Sequence, residues 1–320
     1  MSLRFSTYKK SIINSIVAIA FLAVLWYVLV TQFDLVHTWS QLSVSDIDTK
    51  YWFLVFVLLL LIPNWGLEAQ KWRLAMSEYL DIDLRFSLRS VLAGIAVGLF
   101  TPAKVGEYAG RMFFLKQEDR AASAVSTFIN SMAQLSATIL FGSISLMCLV
   151  YRLDLVQLNF TKLLIAAAVM LALIIASFSL LPELVSLLSH VKFISRYMDK
   201  ITDIKVPRQI LFSIISLSCL RYAVYAFQYV FVFYFLGVEY CLVELLGFVS
   251  IVFLLQTLLP LPPIASLIGR GSIAILIFSN VGIHELIVIA ATLLLWVINL
   301  VVPALCGLVI VLQHRLQATT

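Results

Sequence analysis

The sequence predicts an all-α fold, a polytopic bundle of membrane helices, and three observations predict it. Hydrophobic residues make up 62% of the 320 and charged residues only 12%, where soluble domains run near 25% charged. The mean hydropathy is +1.04. Several apolar runs approach or exceed the ~20 residues that cross a bilayer. No stretch as long as a small soluble domain, ~50 residues, is polar enough to be one. The whole chain, 1–320, therefore reads as one integral membrane domain.

About six full spans are expected, at 11–31, 51–70, 121–150, 161–182, 208–236 and 284–312. The first follows Arg4, Lys9 and Lys10, and the bulky "TQFDLVHTWS" after it offers no small-residue cleavage site. It reads as a retained signal anchor. The second span lies between an acidic loop with Asp34, Asp46 and Asp48 and a basic segment with Lys71, Arg73, Arg85 and Arg89. Region 86–115 is irregular. Its apolar run "VLAGIAVGLF" is too short to cross and too greasy for a loop, and a run of 10–14 apolar residues is a re-entrant signature. Spans 121–150 and 161–182 flank a short connection. Segment 183–205 spaces Leu184, Leu187, Leu188, Val191, Ile194, Met198 and Ile201 helically, with Lys192, Arg196 and Lys200 on another face. It suits an amphipathic helix on an anionic leaflet, or one packed on the protein. Region 243–283 is again irregular, and 284–312 closes the bundle.

Lys and Arg in short loops set orientation. With both termini cytoplasmic, Lys50, Arg152 and Lys162 fall outside, Arg221 and Arg270 at membrane depth, and the other basic residues inside. Lys10, Ser77, Lys116 and Lys200 should then be cytoplasmic, with Ser45, Asn159 and Val238 external. This requires 86–115 to cross an even number of times, as a re-entrant hairpin or a tight pair of tilted spans. Three spans separate it from 243–283, so the two regions enter from opposite sides. That is the parity of an inverted repeat, with halves at about 51–150 and 208–312, and opposed broken helices recur in transporters.

The residues able to carry chemistry cluster in these hairpins. In "LFTPAKVGEYAGR" the pair Thr101-Pro102 breaks the helix, and freed backbone at membrane depth survives only against protein or a wet cavity. Gly98, Gly106 and Gly110 permit close approach. A half-helix restarting after Pro102 favours an anion at its N-terminus, aided by Lys104. Glu107 and Arg111, four apart, can pair. Lys104 and Arg111 suit a phosphate, with Glu107 holding a cation or orienting Arg111. A cytoplasmic loop with snorkelling charges would carry the same letters. The second hairpin, "LLPLPPIASLIGRGSIAILIF", repeats the order loosely: Pro260, Pro262 and Pro263, then Gly269, Arg270 and Gly271. Arg270 has no acidic residue between Glu244 and Glu285, so its partner is a lipid phosphate or Glu107 from the other hairpin. Two spans carry polar stripes: Ser123, Thr127, Asn130, Gln134 and Thr138 on one, Arg221, Tyr225 and Gln228 on the other. Asn130, Gln134, Tyr225 and Gln228 are candidates to line a cavity, although ordinary helix packing uses the same residue types. Arg221 facing lipid would be expensive.

Other motifs point nowhere. "DID" at 46–48 and 81–83 could hold a metal, but Asp beside helices more often caps them. His284-Glu285 lacks the rest of a zinc motif, and no P-loop or GxSxG occurs. The cysteines Cys148, Cys219, Cys241 and Cys306 are scattered, against a disulfide or metal framework. No cofactor and no nucleic-acid partner is expected, the pI near 9.0 being membrane asymmetry.

The segments "GLFTPAKVGEYAGRMFFL", "RYAVYAFQY" and "LPPIASLIGRGSIAI" resemble the lysylphosphatidylglycerol synthase transmembrane-region family, flippase-domain-like membrane proteins of bacteria and archaea. The likeness covers roughly 10–315. Its best motif is Pro-x-x-x-Gly-Glu-x-x-x-Arg, at Pro102, Gly106, Glu107 and Arg111. Many members end the second motif in Gly-x-Arg-Glu, whereas this chain reads Gly269-Arg270-Gly271. The resemblance implies a lipid flippase or related lipid handling in the bacterial cytoplasmic membrane, without the synthase's soluble domain. The expectation is a translocator of an anionic lipid or lipid-linked phosphate, with membrane lipids as partners. A membrane enzyme on a lipid-phosphate glycoside and a non-catalytic envelope-assembly partner are the alternatives.

Overall fold

The computed structural model describes residues 47–99, 101, 104–152, 165, 169, 207–257 and 266–317. The expected spans 11–31 and 161–182, the helix at 183–205, Pro102, and Pro260, Pro262 and Pro263 lie outside the described residues. Every described element is helical: α1 (Ile47–Met76), α2 (Leu84–Gly98), α3 (Val105–Arg111), α4 (Arg120–Arg152), α5 (Arg208–Phe235), α6 (Leu242–Thr257), α7 (Ser266–Ser279), α8 (Glu285–Trp296) and α9 (Val302–Gln317). The protein is an all-α membrane bundle. Four described stretches are long and apolar enough to cross a bilayer, Lys50–Met76, Gln117–Tyr151, Arg208–Phe235 and Glu285–His314, and they coincide with four of the expected spans.

Each of the two irregular regions is built of short helices, α2 and α3 in the first and α6 and α7 in the second. At 15 residues α2 reaches only about 22 Å, short of the ~30 Å hydrocarbon core. It packs along α3. Helices α6 and α7, of 16 and 14 residues, are equally short and pack on each other. Asp83 caps α2, its carboxylate accepting from the Phe86 amide at 2.7 Å, so the second "DID" ends as a helix cap.

Helix α1 runs through Met76, past the expected end at residue 70, and carries Pro63 in its interior. Lys71 therefore does not sit in a cytoplasmic loop. It lies inside the helix, fully buried, because a carboxylate one turn earlier supplies what burial of an ammonium needs. Helix α1 packs on α5, and an apolar core of α5, α6, α7 and α8 residues, including Tyr229, Phe233, Val249, Phe278 and Val288, fills the other side of α5. A second core joins α1, α2 and α9 through Trp72, Val91, Ile95 and Ala304. Between α8 and α9 the chain widens into a π-helical turn, Val297–Val301. Such turns occur frequently at functional sites.

Candidate functional site

One carboxylate organises the centre of the bundle. Glu68 on α1 is buried. Its Oε1 accepts from Arg111 Nη2 of α3 at 2.7 Å. Its Oε2 accepts from Lys71 Nζ at 3.1 Å and pairs with Arg221 Nη1 of α5 at 3.2 Å. Arg111 also pairs with Glu107 one turn before it, as the four-residue spacing predicts. Three cations and two carboxylates leave this cluster with one net positive charge. Burying that many ions is tolerable only because each is paired with an opposite charge. The Gln134 amide oxygen of α4 accepts from both Lys71 Nζ at 3.1 Å and Arg221 Nη1 at 3.2 Å. Arg221 Nε donates to the backbone oxygen of Asn64 at 3.2 Å and to its Oδ1 at 3.0 Å. The Trp65 ring lies 5.3 Å from the Arg221 guanidinium, within cation–π range.

The Asn64 side chain extends the network across the bundle. Its Nδ2 donates to Asn299 Oδ1 at 2.6 Å and to Gln228 Oε1 at 3.3 Å. Asn299 sits in the π-helical turn, and Asn64 follows the helix-interior Pro63. Two helix irregularities thus present polar side chains at the same depth.

Beside the network lies a cavity of about 260 Å³. Three cations line it: Lys104 at the start of α3, Arg221 on α5, and Arg270 on α7. Both hairpins therefore contribute a charge. Amides come from Asn64, Gln134, Gln256 and Asn299, and aromatic surface from Trp65, Tyr222, Tyr225, Phe253 and Trp296. Among the described lining residues there is no carboxylate, and among the described residues no ion pair joins Arg270 to an acidic partner. In the sequence, segments 100–103 and 258–265 contain no Asp or Glu either.

Of the headgroup and cavity-lining candidates read from sequence, Lys104, Arg221, Arg270, Gln134 and Tyr225 meet at this cavity. Four do not. Arg111 is only 1% exposed, held by Glu68 and Glu107, and is not among the residues lining the space. Glu107 is occupied with Arg111. Gln228 is buried and donates to the Val57 carbonyl at 3.0 Å. Asn130 is buried one turn before Gln134, and among the described residues neither of its side-chain polar atoms has a hydrogen-bond partner. The expected free amides at the start of α3 are also partly used. Thr101 Oγ1 accepts from the Gly106 amide at 2.7 Å and donates to the Gly98 carbonyl at 3.2 Å. Lys104 itself takes a left-handed backbone, φ 58°, the one such non-glycine residue among those described.

Sequence reasoning missed Glu68, Lys71, Asn64, Asn299 and Gln256. A signal existed for Glu68. The run "WGLEAQKW" places a carboxylate at i and a lysine at i+3 between apolar residues, and reading Lys71 as a loop charge hid it. Asn299 stands alone in "LLLWVINLVVPAL", where a lone amide at membrane depth needs a partner. Among the described residues no group of three His, Cys, Asp or Glu side chains is arranged to hold a metal.

Fold and site together define the class, an integral membrane protein with a cationic cavity lined by spanning helices and by residues of both short-helix pairs. The model of a known family, described as the lysylphosphatidylglycerol synthase TM region, matches residues 15–307. The chain belongs to that family. No curated protein matches it.

Proposed function

We propose that this protein takes the anionic headgroup of a membrane lipid, or of a lipid-linked phosphate, into the cavity between its two hairpins and passes it across the bilayer. One observation carries this reading: three cations from three separate elements line a single membrane-embedded space, without a lining carboxylate among the described residues. Charges at that depth are costly and are retained where an ion or substrate passes. The planar guanidiniums of Arg221 and Arg270 can each hold a phosphate through two hydrogen bonds. Membership of the family supports lipid handling. A polar cavity favours translocation over a passive assembly role, which would be served by a sealed apolar interior. The chain carries no nucleotide-binding motif, so transport on this reading is passive or ion-coupled. The setting proposed is the bacterial cytoplasmic membrane with both termini inside, and the two hairpins acting as opposed halves of an inverted repeat.

The same charge balance sets selectivity. A phosphate ester with hydroxyl groups finds cations and amide partners. A headgroup bearing an ammonium group meets cations, with no carboxylate among the described lining residues to offset them. The test is reconstitution into vesicles containing fluorescent phosphatidylglycerol or phosphatidylethanolamine, with an impermeant quencher reporting leaflet exchange. The protein should speed exchange of phosphatidylglycerol more than of phosphatidylethanolamine, and the variant carrying Lys104→Gln and Arg270→Gln should lose that acceleration. Equal acceleration of both lipids, unaltered in the variant, would refute a headgroup site at this cavity.

A further inference from the structure

A second cavity, larger and of opposite character, lies between α4, α5 and α6. Its volume is about 420 Å³. Its walls include Phe141, Leu149, Phe227 and Phe248, and Tyr222 lines it as well as the cationic cavity. Tyr222 is the partition. Its ring stacks on Phe141 of the apolar side at 4.8 Å and meets Phe253 of the polar side edge-on at 5.9 Å. On the groove wall, a side chain added at Gly247 would meet nothing within 4 Å, so the groove is room left open rather than room taken up by neighbouring side chains.

We infer that this groove is an acyl-chain site, and that one lipid molecule straddles Tyr222, with its headgroup among Lys104, Arg221 and Arg270 and a hydrocarbon chain along α4, α5 and α6. This rests on the headgroup reading above and adds to it. It commits the groove to a chain of the same lipid rather than to bulk solvent lipid or to another protein. The occupant follows from position and chemistry. The groove is predominantly apolar, and it adjoins through one shared residue the cationic space suited to a phosphate. A lipid is the ligand that carries both parts in one molecule. Fixing one chain would hold the headgroup in register with the cations, which a headgroup site alone would do less well.

The test uses the full-length protein with Cys219→Ala, Cys241→Ser and Cys306→Ser, leaving Cys148, which is exposed and lines the groove. The protein is held in amphipol, and native mass spectrometry reads its binding of dihexanoyl- and dipalmitoyl-phosphatidylglycerol. The long-chain lipid should bind at least about tenfold more tightly, the yield of burying only a couple of methylenes. It should also protect Cys148 from a bulky maleimide, whereas the short-chain lipid should not. Gly247→Trp fills the groove and should abolish the chain preference while leaving dihexanoyl binding unchanged. Alkylating Cys148 after folding should do the same, which keeps the test intact if Gly247→Trp folds poorly. A chain preference that survives both blocks overturns the groove as the chain site, as does a parent protein that binds both lipids equally. Absence of dihexanoyl binding in the parent has a different meaning: the headgroup reading fails there, and the acyl-chain site with it.

Discussion

The two hairpins share an order of breaks, glycines and charge, yet their interiors differ. In the first, α2 and α3 lie so close that glycines are obligatory. A side chain at Gly110 would run into the backbone of Ala93 and Gly94, and one at Gly106 would come within 2.6 Å of the Val97 carbonyl. Arg111 is locked between two carboxylates. In the second, Gly271 has open space where its side chain would be, and Arg270 lines the cavity with no acidic partner among the described residues. The same elements of sequence thus build a fixed wall on one side and an available charge on the other. The deciding variable is the neighbouring carboxylate. Glu68 and Glu107 absorb the guanidinium of the first hairpin, and nothing equivalent among the described residues absorbs that of the second.

The largest effect should come from the group that fixes the first hairpin. Glu68→Gln keeps the shape but leaves Lys71, Arg111 and Arg221 crowded together with one carboxylate, Glu107, among them. Loss of one partner from a buried ion cluster costs about 3–5 kcal/mol. Thermal unfolding in detergent should show a large drop in Tm. A variant that melts like the parent would mean that the wall is held by packing alone.

Glycine replacements sharpen the contrast next. Gly110→Ala should cost about 1–3 kcal/mol, because the obstructing atoms are backbone and cannot swing aside. Gly271→Ala, in the interior of α7, should be neutral or stabilise by up to ~1 kcal/mol, since alanine is the better helix former and nothing crowds it. Parallel melting curves decide. Equal losses at both positions would erase the distinction between a tight hairpin and a loose one.

The ion pair within the first hairpin comes third. Glu107→Ala and Arg111→Ala should each destabilise, and the double variant should lose less than the sum of the two by about 0.5–3 kcal/mol. Arg111 retains Glu68 when Glu107 is removed, so the Glu107 change should be the milder single. Strict additivity in a double-mutant cycle would show both groups to be independently solvated.

Much of this contrast was legible in the sequence, and the part that was not has a physical cause. Apolar run length gave the four described spans, and a short apolar run followed by spaced glycines gave the close pair α2 and α3, because those signals are local. The Glu107–Arg111 pair was legible for the same reason, four residues on one helix face. The partners of Arg111 and Arg221 on α1 were not. Glu68 lies 43 residues from Arg111 and Asn64 lies 157 from Arg221, and no periodicity encodes which helices adjoin. Asn130 and Gln134 show the limit within one helix. Both lie on the same polar stripe, one turn apart, and only the neighbours decide that Gln134 reaches the cavity while Asn130 is buried below it.

The smallest expected effect on stability belongs to Arg270, and it makes the sharpest test of the comparison. If Arg270 has no acidic partner, its removal breaks no ion pair, and Arg270→Gln should change stability by no more than about 0.5 kcal/mol. The backbone contact it does have, Gln256 Nε2 donating to the Arg270 carbonyl at 3.4 Å, survives any side-chain change. Binding should behave oppositely. Arg270→Gln should lose most of the affinity for phosphatidylglycerol. Arg270→Lys, which keeps the charge but not the two-pronged donor, should retain an intermediate affinity. Melting curves and lipid binding measured on the same three proteins separate the two properties. A large loss of Tm in Arg270→Gln with co-purified lipid unchanged would assign Arg270 to the framework, as Arg111 is, and leave Lys104 and Arg221 as the cations of the site.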